Sequence, residues 1–339
     1  MEQFQINHLL SGGLITNYHC TSRCGHCLYA CAPGRAKDYI DRSVAEEVLQ
    51  KMKSLGCYHI HIGGGEPMLD VPRLLDLVDA ARHLGMGIQY VETNASWYQD
   101  QRQAMDVLDQ LRSYGIRQLL ISMSPFHNER IPFYQVKGLI QACKLSGIQP
   151  LPWVMDFYDD MEAFDDQTKH SLDEYVRRFG DQYIQEIPSR YWIHLGGRAV
   201  FTFQHHFPLS SLNSVLHNSP CRELADTSHF HIDLYGNYIP GLCSGFAIEM
   251  EDLGKPLDEN KYPFLSMLYQ KGIDGLYQYA REKYGFKPQQ AYLNKCHLCN
   301  DIRLFLVRRQ KLDFQELKPA GYYRYVDQVD LVSQKNQKG

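Results

Sequence analysis

Cys20-Thr21-Ser22-Arg23-Cys24-Gly25-His26-Cys27 places three cysteines at the spacing CxxxCxxC, directly behind a short β-forming run at residues 14–18. Three thiolates on one loop can hold three irons of a cubane and leave the fourth without a protein ligand, an open coordination position. Zinc is the other metal such a loop could take, with His26 as a fourth ligand from within the loop, although zinc usually draws on pairs of CxxC. The open iron makes the loop reactive rather than structural. Its place just beyond a strand is also the first indication of the fold.

Outward from this loop, the first half of the chain alternates short β-branched runs with longer amphipathic stretches, the pattern of βα units that build a parallel sheet. Strands are predicted at 14–18, 58–62, 88–92, 118–122, 149–154 and 192–195. Six units predict an α/β fold, an open, partial (β/α)6 TIM-like barrel, in which the loops beyond the strand C-terminal ends carry the chemistry. After Phe207 the alternation fades. Residues 229–234 and 238–242 predict a hairpin around Tyr235-Gly236-Asn237, helices are expected near 262–270 and 273–284, and a final helix from Ile302. The expected organisation is 1–207 as the barrel, 208–305 as a small α+β domain, and 306–339 as a C-terminal helix and polar tail, disordered from 334.

The chain has 339 residues, ten of them cysteine, a number too large to ignore and too unevenly spaced for a secreted disulfide framework. Residues 1–15 show neither a basic n-region nor a cleavage-site pattern, and no apolar stretch reaches membrane-spanning length; the expected location is the cytoplasm, with no membrane partner. A net charge of −4 without any basic, aromatic-interleaved run argues against nucleic acid. The cysteines fall into an N-terminal group (Cys20, Cys24, Cys27, Cys31), a C-terminal group (Cys221, Cys243, Cys296, Cys299), and Cys57 and Cys143, which read as core residues. Two metal sites are the natural reading.

The CxxxCxxC loop resembles the signature of the radical S-adenosylmethionine (radical SAM) superfamily, and further segments extend the resemblance. Gly63-Gly64-Gly65-Glu66-Pro67 is similar to the family's GGEP motif, where Gly64 and Gly65 would let the backbone approach the methionyl amino group and Glu66 would hold the loop or help bind that group. Thr93 and Asn94, ending the third strand, resemble a pair that relatives place near the cofactor; a plain strand-end turn is the alternative. Ser122-Met123-Ser124 is similar to a Ser-x-Asp stretch, which carries Ser122 over as a cofactor contact and leaves Ser124 in place of the usual Asp. Gly196-Gly197-Arg198-Ala199 resembles a GRA motif, whose arginine would pair with the cofactor carboxylate unless it is simply an exposed residue after a turn. His127 and His205-His206 are candidates for proton movement, or merely solvated.

Cys221, Cys243, Cys296 and Cys299 supply four ligands, enough to close a structural zinc or an auxiliary [4Fe-4S] cluster. Their arrangement, with a hairpin between two cysteines and then a distant CxxC, is similar to the twitch auxiliary-cluster domain, shorter than SPASM, which implies iron-sulfur. Cys31, four residues beyond Cys27, is a candidate hydrogen donor or redox residue, or a small buried residue in a turn.

The resemblance implies an enzyme that reductively cleaves S-adenosylmethionine to a 5'-deoxyadenosyl radical and abstracts a substrate hydrogen. It implies [4Fe-4S] and S-adenosylmethionine as cofactors, a probable second [4Fe-4S] cluster, and a low-potential donor such as flavodoxin or ferredoxin. A ribosomally synthesised peptide, oxidatively modified, is the leading substrate class. A small-molecule metabolite is the alternative, since only the 19 residues before Cys20 are available for a leader-binding module. A noncatalytic zinc or iron-sulfur protein is the reading from another class.

Overall fold

A computed structural model describes residues 3–216 and 220–329; the tail expected to be disordered lies outside them. The strands in chain order are β1 (Gly12–Ile15), β2 (His59–Gly63), β3 (Gly87–Thr93), β4 (Gln118–Ser122), β5 (Gln149–Trp153), β6 (Ser210–Ser211), β7 (Phe230–Asp233), β8 (Asn237–Ile239), β9 (Ile248–Glu249) and β10 (Ala291–Tyr292). Eight of them form one open sheet in the order β5-β4-β3-β2-β1-β7-β8-β9, while β6 and β10 pair separately. The run from β5 to β7 is parallel throughout. This is an α/β architecture with a parallel sheet that does not close, consistent with a partial TIM barrel.

The helices that cover the sheet follow from the sequence. Helix α1 (Arg42–Ser54) buries Ala45, Val48, Leu49 and Met52, one face at helical spacing. Helix α2 (Val71–His83) and helix α3 (Gln101–Ser113) start on Asp70 and Asp100, whose carboxylates accept from the backbone N–H of Arg73 and Gln103. The sheet's other face carries Tyr90 and Glu92 of β3 and Leu120 and Ser122 of β4, alternate residues that border a large cavity.

Two expectations need correction. Residues 192–195 form no strand, and Trp192 is 68% exposed. The reason lies in β5, whose Gln149 N–H donates to Arg117 O on the β4 side, so the alternate residues Pro150 and Pro152 face outward. Prolines lack the N–H a further strand would need, and β5 is therefore an edge. The sixth parallel strand comes instead from β7, which lies beside β1 at the opposite side. The expected boundary at 207/208 accordingly does not divide the sheet: the β7–β8 hairpin around Gly236 (φ 78°) extends the barrel's own sheet.

Beyond the sheet, the two expected helical stretches appear as Pro263–Tyr284, broken at Gly272 (φ 72°, ψ −162°). The following helix starts at Lys295 rather than Ile302, so the CxxC pair sits on its first turn rather than ahead of it. Asn294 caps it, its side chain accepting from His297 N–H at 2.9 Å. No helix among the described residues is long and apolar enough to cross a membrane.

Candidate functional site

The cysteine loop leaves β1 and returns beside its own start, with Cys20 N–H donating to Ala32 O and Ala32 N–H to Tyr18 O. All three sulfurs meet polar hydrogens. Ser22 N–H reaches Cys20 Sγ at 3.3 Å, Ser22 Oγ lies 3.0 Å from Cys24 Sγ, and Cys31 N–H reaches Cys27 Sγ at 3.4 Å. Asn94 Nδ2 adds a second donor to Cys20 Sγ at 3.4 Å. Such contacts stabilise thiolate and sulfide charge. The Cys27 thiol is held below its ordinary range by hydrogen bonding from Cys31, while burial pushes Cys24 up to about 12.

One cavity collects Cys20, Cys24, Cys27, Cys31, Gly64, Gly65, Thr93, Asn94 and Ser122, together with His26 and His127. Residues from four strand ends thus converge on one space. Gly65 is indispensable there: a Cβ would lie 2.0 Å from His19 O, so the glycine segment approaches the cysteine loop as closely as backbone can. Asn17 fastens the two, its Oδ1 accepting from Gly65 N–H at 3.1 Å and its Nδ2 donating to Glu66 O at 3.1 Å.

Glu66 is fully buried, and its carboxylate is consumed by the neighbouring loops. It accepts from Met68 N–H, from Thr93 Oγ1 at 2.8 Å and from Asn94 N–H at 2.6 Å. Burial outweighs these donors and raises its pKa to about 7. It ties the glycine segment to the end of β3 and does not border the cavity. Ser124 is also turned away, its Oγ 2.7 Å from His127 Nδ1.

Arg198 departs furthest from expectation. It is completely buried, and its guanidinium donates to Cys24 O and Cys31 O, each at 2.9 Å, while its own N–H donates to Cys27 O. Thr202 Oγ1 adds a bond to Gly25 O. The arginine therefore clamps the cysteine loop from behind through carbonyls and is not among the residues that line the cavity, where a cofactor carboxylate would lie. His205 and His206 line neither this cavity nor the next.

The second cysteine set also comes together. Cys221, Cys243, Cys296 and Cys299 border one pocket with Lys295, Glu223 and Arg303. Burial, and after it the neighbouring sulfurs, hold Cys243 well above its ordinary range. Arg303, 3% exposed, spans the pocket wall from Cys299 O to Ser244 O, and Lys295 pairs with Glu223. All ten cysteines are free thiols.

A larger cavity links the two sites, sharing His26, Cys27, Glu92, Ser122 and His127 with the first and His194, Glu223 and Leu242 with the second. Trp153 and Trp192, 41% and 68% exposed, border it as well. Sequence reasoning missed Tyr29, Tyr90, Glu92, Asn17 and three histidines, His61, His229 and His231, on this side of the sheet. The alternation within 88–92 could have found Tyr90 and Glu92; the others needed the strand order.

Residues 14–159 match the Radical SAM superfamily. No curated protein sequence matches the chain. Among solved structures the chain is similar to native anSMEcpe with bound AdoMet, at 12% identity, TM-score 0.45, covering 88% of this chain and 98% of that one. It is similar to BtrN in complex with AdoMet and 2-DOIA at 13% identity, TM-score 0.44, covering 79% and 90%. For Streptococcus suis SuiB bound to precursor peptide SuiA the values are 14% identity, TM-score 0.34, and 86% and 71%. With the cysteine loop, the glycine segment and strands β2 to β5 inside the matched region, residues 14–159 are a radical SAM domain.

Proposed function

We propose that Cys20, Cys24 and Cys27 hold a [4Fe-4S] cluster with one open iron, and that the cavity they share with Gly64, Gly65, Thr93, Asn94 and Ser122 binds S-adenosylmethionine. The observation that carries this reading is the convergence of those residues, from four strand ends, on one space. The reduced cluster supplies the electron that cleaves S-adenosylmethionine to a 5'-deoxyadenosyl radical. The chain's own part is positioning. The close approach at Gly65 leaves backbone polar groups unobstructed for the methionyl end, Thr93 and Asn94 fix the cavity wall through Glu66, and Arg198 keeps the three sulfurs in register.

The substrate would occupy the linking cavity, which shares Cys27, Ser122 and His127 with the first site and His194, Glu223 and Leu242 with the pocket of the second cysteine set. Four thiols fit a closed site; as an auxiliary [4Fe-4S] cluster of twitch type, Cys221, Cys243, Cys296 and Cys299 would take up the second electron of an oxidation. An aromatic mouth formed by Trp153 and Trp192 suits a peptide segment, so oxidative modification of a ribosomally made peptide is the proposed reaction, with a flavodoxin or ferredoxin as electron donor. Anaerobic incubation with S-adenosylmethionine and dithionite tests it. 5'-Deoxyadenosine should form, rise with candidate peptides and vanish in the Cys20, Cys24, Cys27 triple-Ala variant; stimulation by small metabolites instead of peptides would replace the substrate class.

A further inference from the structure

His61, His229 and His231 gather on the cavity side of the sheet, apart from both cysteine sets, and the strand register explains how. His61 on β2 and His231 on β7 are both level with Gly13 of the intervening β1. A Cβ at Gly13 would lie 2.3 Å from His61 Nε2. The glycine thus opens a gap over the middle strand in which the two rings meet, Nε2 to Nε2, at 2.9 Å. His229 shares the face of His231 by the two-residue period of a strand and stacks on His61, centroids 5.2 Å apart and planes at 7°. One ligand nitrogen from each ring lies within 4.8 Å of the other two, the group among the described residues that converges this tightly.

His61 and His231 are 1% and 5% exposed, and burying imidazoles where aliphatic side chains would serve is costly unless their nitrogens are used. Imidazole nitrogens around a tetrahedral cation, at about 2.0 to 2.1 Å from it, lie roughly 3.3 Å apart, between the 2.9 Å of the inner pair and the 4.8 Å that bounds all three. His231 Nδ1 is paired with Tyr29 Oη at 2.6 Å, which turns Nε2 toward the other rings, the support a metal-bound histidine ordinarily receives. Glu92 Oε1 stands 4.0 Å from His61 Nε2, and His229 borders the open cavity.

We propose that His61, His229 and His231 bind a divalent cation of zinc's class through three imidazoles, leaving an open coordination position toward the linking cavity. Three protein ligands with one position free is the arrangement of exchangeable rather than structural sites. The cation would there anchor an anionic or chelating group of the substrate, a role that rests on the cavity's being the substrate site.

The test uses holoprotein with its iron-sulfur sites reconstituted, so that the cysteines are occupied, dialysed against zinc and examined by zinc-edge X-ray absorption and metal analysis. One zinc per chain, with nitrogen or oxygen scatterers at about 2.0 to 2.1 Å, and at least tenfold weaker retention in His229→Ala and His231→Gln at unchanged iron content, is the expected result. His229 is exposed, so its loss does not burden folding. Sulfur scatterers at about 2.3 Å, or undiminished zinc in both variants, would overturn the site. S-adenosylmethionine cleavage in the same preparations separates the two readings. Zinc held as expected without cleavage supports the cation site and removes the radical chemistry, whereas cleavage in a protein that takes up no zinc removes the cation site alone.

Discussion

The two cysteine sets differ in how they are supported. The first lies on one continuous loop, receives donors from Ser22, Cys31 and Asn94, and is clamped from behind by the carbonyl bonds of Arg198. Its remaining side is a cavity rimmed by glycine backbone. The second is assembled from three separate elements: Cys221 before a 3-10 turn, Cys243 after one, and Cys296 with Cys299 on a capped helix. Four thiols border one pocket there, whereas three of the proposed ligands border an open cavity in the first. On the proposed reading, a ligand set that leaves a vacancy would need its geometry enforced from outside, as the buried arginine would do, whereas a set that closes on itself can be collected from distant parts of the chain.

The sharpest way to break this comparison is to remove each set in turn. Replacing Cys20, Cys24 and Cys27 by Ala should halve iron from about eight to about four per chain and abolish 5'-deoxyadenosine formation. Replacing Cys296 and Cys299 should also remove about four irons but leave uncoupled cleavage measurable. Zinc in the second site of the native protein would show that the closed set is structural.

Gly65→Ala probes the vacancy itself. Its Cβ would collide with His19 O, and displacing the glycine segment by about 1 Å should lower kcat/KM for S-adenosylmethionine by roughly a hundredfold, read from cleavage kinetics at unchanged iron content. Arg198→Met removes the clamp. Two buried carbonyls would lose charge-assisted partners, and urea unfolding should show a loss of about 3 kcal/mol; an unaffected midpoint would show that the loop holds its own shape.

A smaller effect concerns Glu66. Its pKa in the folded chain is raised to about 7 from an ordinary 4.5, so the folded state binds more protons than the unfolded one between those values. The wild type should therefore lose stability relative to Glu66→Gln as pH rises from 4.5 through 7, and the difference should level off above that. Urea midpoints across this range check the sign. Cys31→Ala should change least: the backbone N–H on Cys27 Sγ survives, so iron content should be unaltered and uncoupled cleavage should stay within about twofold.

Much of the first site was legible because its parts are local. Cysteine spacing, a glycine triplet and polar pairs at strand ends are sequence features, and the parallel sheet needed only their order. What was not legible depended on which strands become neighbours. His61 and His231 are 170 residues apart and meet only because β7 lies beside β1 and Gly13 leaves room. The run at 192–195 has β-forming side chains, but pairing needs a donor-bearing neighbour, which Pro150 and Pro152 deny. Arg198 was expected to meet the cofactor, whereas the bonds it makes go to main-chain carbonyls, which no side-chain pattern reveals. The four cysteines of the second set do border one pocket, while the helix carrying Cys296 and Cys299 was expected too late because Asn294 was not read as its cap.

The adjacency of β1 and β7 has a mechanical consequence. The first cysteine loop grows out of β1, and the β7–β8 hairpin runs directly into the turn that ends at Cys243. The separation of the two sites is therefore set by hydrogen-bonded strands, as a ruler sets the distance between two marks, and no hinge intervenes along that path. If the proposed function holds, an electron or substrate fragment passing between them would travel a span that substrate binding can fill but cannot stretch.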